Sequence, residues 1–435
     1  MRESVCILFM LLFGATLAFA QTNGSQRLGA DDRAFTASKV DSLIQGYFFS
    51  AKDPPTLVLE ASYKSYLQTV LTSDDHRQFD LAIIEFVAQL HNGHTFFWDT
   101  WLDKSNQPLG FYAAPLGGYW IVQSSFLPSL KPGDIIASID NTPTEAFFQQ
   151  QQRYISASSI AAQRHNLFLL PYLFPEQFTL TLDGDRTVAI DRKKFNEPGQ
   201  MPDAHWVKPE VTAYIRVPAF NPPWFEQSAM DFVKRFGNAK TLIIDVRNNS
   251  GGVAPSRLIQ ALMNRPYREW KESSAVRTAL AECDRKKEKV NNSTTMPTFL
   301  RDCEQSPNDQ LCTSPVTWGG EVVEPSPTAF RGRVILLVDG GCVSACEEFV
   351  EPFKDSGRGT IVGETTEGSS GLPYSYDFKN GMTLKVAVKR QYFPDGSEFE
   401  GVGIKPDVEI HPTIESLKSG HDAILEKAAE LTGKY

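Results

Sequence analysis

The sequence is poor in the residues that build metal and redox centres. Its 435 residues include six cysteines and seven histidines. There is no pair of C-x-x-C units and no H-E-x-x-H, so neither a dedicated zinc site nor any other cofactor is expected. G-K-[ST] and G-x-G-x-x-G are also missing from the strand exits, which argues against a phosphate cradle. Basic residues are outnumbered, 43 Lys and Arg against 52 Asp and Glu, for a formal net charge of −9. That balance offers no phosphate-neutralising surface, so nucleic acid is not an expected partner. Beyond the N-terminus no long apolar run occurs, and no internal repeat. Stable membrane insertion is therefore not expected. What remains is an ordinary globular composition, 41% hydrophobic and 22% charged, in a chain long enough for several domains.

The N-terminus departs from this texture. Arg2 precedes an uncharged apolar stretch from Val5 to Phe19, which ends at Ala18-Phe19-Ala20 before the polar run Gln21-Thr22-Asn23-Gly24-Ser25. The run is short for a membrane span and its flank has the A-x-A form of a cleavage site. Residues 1–20 thus read as a secretory signal, and the mature protein as periplasmic or extracellular. Cys6 leaves with the signal, and Cys283, Cys303, Cys312, Cys342 and Cys346 remain. Five is odd, so at least one thiol stays free or pairs with another chain. Cys303 and Cys312 bracket a loop and form the preferred disulfide.

Three textures follow. Residues 21–106 read as a helical segment: Phe79, Ile83, Phe86, Val87 and Leu90 make one apolar face. The run ends in the turn His91-Asn92-Gly93-His94-Thr95, and the stretch to Asn106 reads as an exposed connector or hairpin. Residues 107–195 read as a β-rich module, with a strand at Tyr119–Val122, a turn–strand–turn from Leu130 to Pro143, a helix from Thr144 and a closing hairpin near Gly184. Residues 196–435 alternate strands and helices. Thr241–Val246 and Arg333–Val338 have the apolar character of strands buried on both faces of a parallel sheet. A polar insertion near residues 271–324 reads as a surface excursion.

Two strand exits are placed for chemistry, because α/β proteins put ligands at strand carboxyl ends. One is Asp245-Val246-Arg247-Asn248-Asn249-Ser250-Gly251-Gly252, whose paired glycines permit close approach to backbone N–H groups. The other, Asp339-Gly340-Gly341-Cys342-Val343-Ser344-Ala345-Cys346-Glu347, runs from strand through glycines into a helix. Ser344 at that junction is either a helix cap or an exposed nucleophile beside helix N-terminal N–H groups.

The second exit, with Asp355 and Val362-Gly363-Glu364-Thr365-Thr366-Glu367-Gly368, resembles the active-site block of the carboxy-terminal processing (tail-specific) serine peptidases, a family that includes the tricorn core protease. The first exit resembles the L-R-x-N-G-G-G strand exit of that family. LKPGDIIASIDNTPTEAF resembles a PDZ domain, which receives extended peptide tails along a strand edge. The resemblance implies a multidomain α/β fold with a crotonase/ClpP-like core and a PDZ-like module at 107–195. It also implies a serine peptidase acting on protein or peptide substrates. Where many members carry a lysine after the G-E-x-T segment, this chain has Ser369, so a Ser–Lys dyad is not implied, and Lys354 is read as solvated. Asn92-Gly93-His94-Thr95 instead resembles the G-H-T motif of the tricorn-like branch, which implies a Ser–His–Glu arrangement. In it Ser344 is the nucleophile and His94 the base, with His91 as the local competitor. Glu400 is the orienting carboxylate, with Glu398 the alternative two residues earlier. The implied oxyanion hole is the Ala345 N–H with one from Gly251 or Gly252. Asp355 and Glu364 are read as structural, and Cys346 as a small buried residue. A carrier on the same fold, binding ligands or peptides without catalysis, is the rival reading.

Overall fold

The computed structural model describes residues 28–49, 56–73, 75–105, 107–194, 199–275 and 315–433. The signal-peptide reading and the Cys303–Cys312 pairing lie outside these residues. Three helices open the described chain: α1 (Ala30–Tyr47), α2 (Thr56–Thr72) and α3 (His76–Ala88). Asp75 caps α3, its carboxylate accepting the Gln78 N–H at 2.8 Å, as expected of an Asp at a helix start. The predicted apolar face is the one buried, with Phe79, Ile83 and Val87 fully enclosed.

The stretch after α3 differs from the exposed connector anticipated. Phe96–Asp99 forms strand β1, followed by the short helix α4 (Thr100–Ser105). Phe97, Asp99 and Leu102 are buried. The reason is non-local, since the strand that covers β1 comes from the far end of the chain.

Between residues 109 and 190 the chain encloses a hydrophobic cluster of its own. Its strands are β2 (Phe111–Leu116), β3 (Tyr119–Ser125), β4 (Ile136–Ile139), β5 (Thr142–Pro143), β6 (Gln177–Leu182) and β7 (Thr187–Asp191). Helices α5 (Thr144–Gln151) and α6 (Ile160–Asn166) lie between β5 and β6. β2 and β3 pair as a hairpin, while the other four strands form a sheet in the order β5-β4-β6-β7. The turn at Gly184 closes the β6–β7 hairpin with φ of 73°, a conformation glycine adopts without penalty.

The remainder is built on one six-stranded sheet. Its strands are β8 (Asp203–Lys208), β9 (Thr212–Arg216), β10 (Thr241–Asp245), β15 (Arg333–Val338), β16 (Thr360–Gly363) and β20 (Val408–Glu409), ordered β20-β16-β15-β10-β9-β8. All neighbours are parallel except the edge pair β8–β9. Every residue of β10 is buried, which explains its apolar centre Leu242-Ile243-Ile244. Helix α7 (Trp224–Arg235) follows β9 and α8 (Ser256–Leu262) follows β10. Helix α9 (Ala345–Ser356) follows β15 and buries Phe349, Val350 and Phe353 against the sheet.

Between α8 and β15 run β11 (Tyr267–Arg268), β12 (Lys271–Ala275), β13 (Pro315–Gly319) and β14 (Val322–Val323). The insertion is therefore not wholly a surface excursion, because β12 pairs with both β13 and β19 (Lys389–Tyr392) and buries Ser273 and Ser274. The hairpin β17 (Pro373–Asp377) and β18 (Met382–Ala387) receives β1 on its other side, Phe96 opposite Lys385 and Asp99 opposite Met382. Met382, Leu384 and Val386 thereby share one core with α1, α2 and α3. That joint delivers the loop before β1 to the exits of the large sheet. Among the described residues no helix is long and apolar enough to cross a membrane.

Candidate active site

Three exits of the parallel sheet converge. After β10, Asp245 is fully enclosed and held by Arg247, Arg216 and the Tyr214 hydroxyl. These partners hold its carboxyl below the usual range against the opposing pull of burial. After β15, Asp339 accepts the Asn248 N–H at 2.7 Å and the Gly341 N–H at 3.0 Å, stitching the first two exits together. Burial pushes its carboxyl up to about 6. The exit of β16 joins them through Ser344 N–H, which donates to the Ser369 carbonyl at 3.0 Å.

Ser344 sits at the α9 N-terminus with φ of 61°, a strained value for a non-glycine residue. Its hydroxyl is directed at His94. The Nε2 of His94 lies 3.0 Å from Ser344 Oγ, and its Nδ1 lies 3.0 Å from Ser369 Oγ. His91, the sequence competitor, is exposed, whereas His94 is 5% exposed. The loop that holds His94 is itself pinned. Asn92 Oδ1 accepts the His94 N–H at 2.9 Å and the Thr95 hydroxyl at 3.1 Å. Gly93 is obligatory in another sense, since a Cβ there would stand 2.6 Å from Ser369 Oγ. Burial, with Lys385 and Lys389 nearby, lowers the His94 pKa to about 4, so the ring is neutral at pH 7.

The expected direct carboxylate–imidazole contact is replaced by a relay. Glu400 does not hydrogen-bond to His94. Ser369 stands between them, its Oγ 3.0 Å from His94 Nδ1 and 3.5 Å from Glu400 Oε1. Glu400 also accepts from the Ser158 hydroxyl, the Asn92 amide at 3.2 Å and the Ser370 N–H at 3.4 Å. Burial pushes its carboxyl up to about 7. An ionised Glu400 only accepts, so Ser369 donates to it and turns a lone pair to His94 Nδ1–H. That order leaves Nε2 bare toward Ser344. The alternative, Glu398, is exposed and pairs with Arg390. Strand alternation fails because Glu400 begins a turn.

The glycine exit requires a second correction. The Gly251 N–H donates to Asn249 Oδ1 at 2.8 Å, so it is engaged within its own loop. What Gly251 supplies is proximity: a Cβ there would stand 2.8 Å from Ser344 Cβ and 2.9 Å from the Ala345 nitrogen. Of the three expected donors, Ala345 and Gly252 are left with backbone N–H groups not engaged in this way. Lys354 pairs with Asp407 at 2.6 Å, Asp355 with Arg268 and Glu364 with His411, all structural contacts. Cys346 is buried as expected but is not a free thiol, being disulfide-bonded to Cys342.

Sequence reasoning missed four participants. Glu347, fully buried, accepts Thr366 Oγ1 at 2.5 Å, Gly368 N–H at 2.7 Å, Ser369 N–H at 3.0 Å and Ser344 N–H at 3.2 Å. It thereby clamps the Ser344 and Ser369 backbones together. The S-x-x-E spacing from Ser344 was its signal. Ser369 stands where the family resemblance looks for a lysine, which draws attention away from its own hydroxyl. Asn92 lay within the quoted histidine motif. Ser158 carries no local signal, yet it bonds Glu400 and accepts the Gly93 N–H at 3.1 Å. A cleft of ≈ 850 Å³ lined by Tyr112, His165, Arg216, Asn248, Glu367 and Gly401 opens beside this arrangement.

Comparison with known proteins agrees with the sheet and its exits. The chain is 25% identical over 300 residues to carboxyl-terminal-processing peptidase 2, chloroplastic, of Arabidopsis thaliana, covering 67% of this chain and 48% of that protein. A shorter stretch of 85 residues is 36% identical to a probable CtpA-like serine protease of Staphylococcus aureus, 19% of this chain and 17% of that one. The chain thus spans about half the length, or less, of these curated relatives. Among solved structures, mature CPAF superposes with a TM-score of 0.68 at 16% identity, over 93% of this chain and 96% of that one, which shows a shared mixed α/β fold. Residues 211–410, which contain all three sheet exits and Glu400, match the description of peptidase family S41.

Proposed function

We propose that this chain is an exported serine-type peptidase that hydrolyses peptide bonds through Ser344 and His94, with Glu400 acting through Ser369. The observation that carries the proposal is the 3.0 Å approach of His94 Nε2 to Ser344 Oγ across 250 residues of sequence. Ser344 attacks the scissile carbonyl while His94 accepts the hydroxyl proton. The oxyanion forms against the Ala345 N–H at the α9 N-terminus, where the helix dipole favours negative charge, with the Gly252 N–H of the β10 exit as the second donor. His94 then protonates the leaving amine, and water hydrolyses the acyl-enzyme by the same route. The imidazolium forms in a buried site near Lys385 and Lys389, so it needs a compensating anion. Glu400 supplies one through the serine.

In this reading residues 107–195 are a PDZ-like module that receives substrate tails, and residues 196–435 a crotonase/ClpP-like core. The homologues named as carboxyl-terminal-processing peptidases support substrates cut near their C-termini. Ser344→Ala and His94→Ala should each reduce cleavage of an unstructured test peptide by about 1,000-fold or more, with the fold retained by circular dichroism. A fluorophosphonate should label the native chain but not Ser344→Ala. Peptide binding with no cleavage and no labelling of the native chain would favour the carrier reading instead.

A further inference from the structure

We propose that His76, Asp80 and Asp99 form a binding site for one divalent transition-metal cation, with Zn²⁺ as the representative ion, which fastens the start of α3 to the end of β1. One ligand atom from each of the three lies within 4.8 Å of the other two. His76 and Asp80 are four residues apart in the first turns of α3, so both project from one helix face. Asp99 closes β1 opposite them. His76 Nε2 stands 2.8 Å from Asp99 Oδ2 and 3.8 Å from Asp80 Oδ1.

The feature that points to a ligand is Asp80. It is 0% exposed, and neither carboxylate oxygen has a hydrogen-bond partner among the described residues. Asp99, by contrast, accepts the Trp101 N–H at 2.8 Å on its Oδ1. Ionising a buried carboxyl whose oxygens are met by no N–H or O–H donor is costly, and a second carboxylate beside it adds repulsion. A cation removes both costs at once. The Trp101 ring stacks on His76 with centroids 4.2 Å apart and planes 10° apart, holding the imidazole in place. His76 is the member with residual side-chain exposure, 13% against 0% for Asp80 and 2% for Asp99, which gives an ion an entry side.

One imidazole nitrogen and two carboxylate oxygens, with water completing a tetrahedron, suit Zn²⁺. The nitrogen disfavours Mg²⁺, which prefers oxygen ligands. The site lies at the two ends of the segment that carries His94, between α3 and β1. A cation there closes the base of that segment without touching the site itself. Periodicity does not reveal it, because Asp99 belongs to a separate element.

The full chain, stripped with EDTA and dialysed, is titrated with ZnCl2 by calorimetry and melted with and without the ion. The expected result is one equivalent of Zn²⁺ bound with a raised Tm, and no shift with MgCl2. Asp80→Asn preserves shape and removes charge. It and His76→Gln should each weaken Zn²⁺ binding by at least about tenfold, with circular dichroism confirming the fold. His411→Ala, at the surface cluster with Glu364 and Glu409, should leave that equivalent in place. The proposal is overturned if the native chain takes up no stoichiometric Zn²⁺, or if binding survives in both Asp80→Asn and His76→Gln. Absent uptake together with a higher Tm for metal-free Asp80→Asn would identify two carboxylates sharing a proton.

Discussion

Ser369 changes what each neighbouring side chain does. In the relay, His94 Nδ1–H donates to Ser369 and Ser369 donates to Glu400, so the serine sets the imidazole tautomer that a carboxylate sets elsewhere. A hydrogen bond to a charged partner contributes about 1.5–3 kcal/mol, or about 10- to 100-fold in rate if it forms only as the imidazolium develops. Ser369→Ala should therefore lower kcat/KM by about 10- to 100-fold, where a spectator serine would leave it unchanged. The pH profile separates the two carboxyl states. His94, held near 4 by burial and two lysines, is already neutral at pH 5. Glu400, pushed up to about 7 by burial, ionises later. Activity should thus rise through pH ~7 as Glu400 becomes the anion that stabilises imidazolium. Glu400→Gln should be slower and should lack that limb. A limb at the same pH in Glu400→Gln assigns it to another group.

At the scale of elements, the glycine exit of β10 and the serine elbow after β15 fit only because Gly251 has no side chain. Its φ is 87°, and an added Cβ would meet Val343 O at 2.7 Å, Ser344 Cβ at 2.8 Å and Ala345 N at 2.9 Å. Backbone cannot yield as a flexible side-chain tip can. Gly251→Ala combines left-handed strain of about 1–3 kcal/mol with displacement of Ser344. Gly117, at φ of 60° with open space around its Cβ position, offers the control. Gly117→Ala should lower Tm modestly and keep full activity, while Gly251→Ala should abolish activity. Equal activity in both would separate the elbow from Gly251. The same two elements show how far local pattern reaches. β10, β15 and α9 are legible as apolar strands and a strand-to-helix elbow because their partners are adjacent sheet members with the expected periodicity. β1 is not legible, because its pairing partner β18 is distant in sequence and its own four residues carry no period. Ser158 escapes for the same reason. Glu400 is legible as a candidate, but its contact with Ser369 is not, because a turn rather than a strand aims it.

On the scale of the whole molecule, the site is an assembly of all three textures: His94 from the helical segment, Ser158 from the β-rich unit, and Ser344, Ser369 and Glu400 from the large sheet. Folding also buries several carboxyls, at the site and beyond it. Burial raises Glu351 to about 9, Glu367 to about 8 and Glu400 to about 7, against 4.5 for an ordinary glutamate. Each holds its proton more tightly folded than unfolded. Between pH 4.5 and its folded value, each makes the native state carry more protons than the unfolded one, so its contribution to stability falls as pH rises. His94 and His165, both lowered to about 4 by burial, act in the opposite window. The unfolded chain protonates them below 6.5 while the native chain does not, so their contribution is lost as pH falls toward 4. Above pH 6.5 the buried carboxyls with raised values dominate, and unfolding free energy should decline toward pH 9. Glu351 isolates the effect. It lies on α9, is 1% exposed, and its Oε2 has no hydrogen-bond partner among the described residues. Glu351→Gln removes up to one proton from the balance and should flatten the decline between pH 6.5 and 8.5 by up to about 1.4 kcal/mol per pH unit. Urea unfolding across that range measures the slope directly. A slope unchanged by the substitution would mean that Glu351 is solvated in the native chain, and that α9 is packed more loosely there than its burial implies.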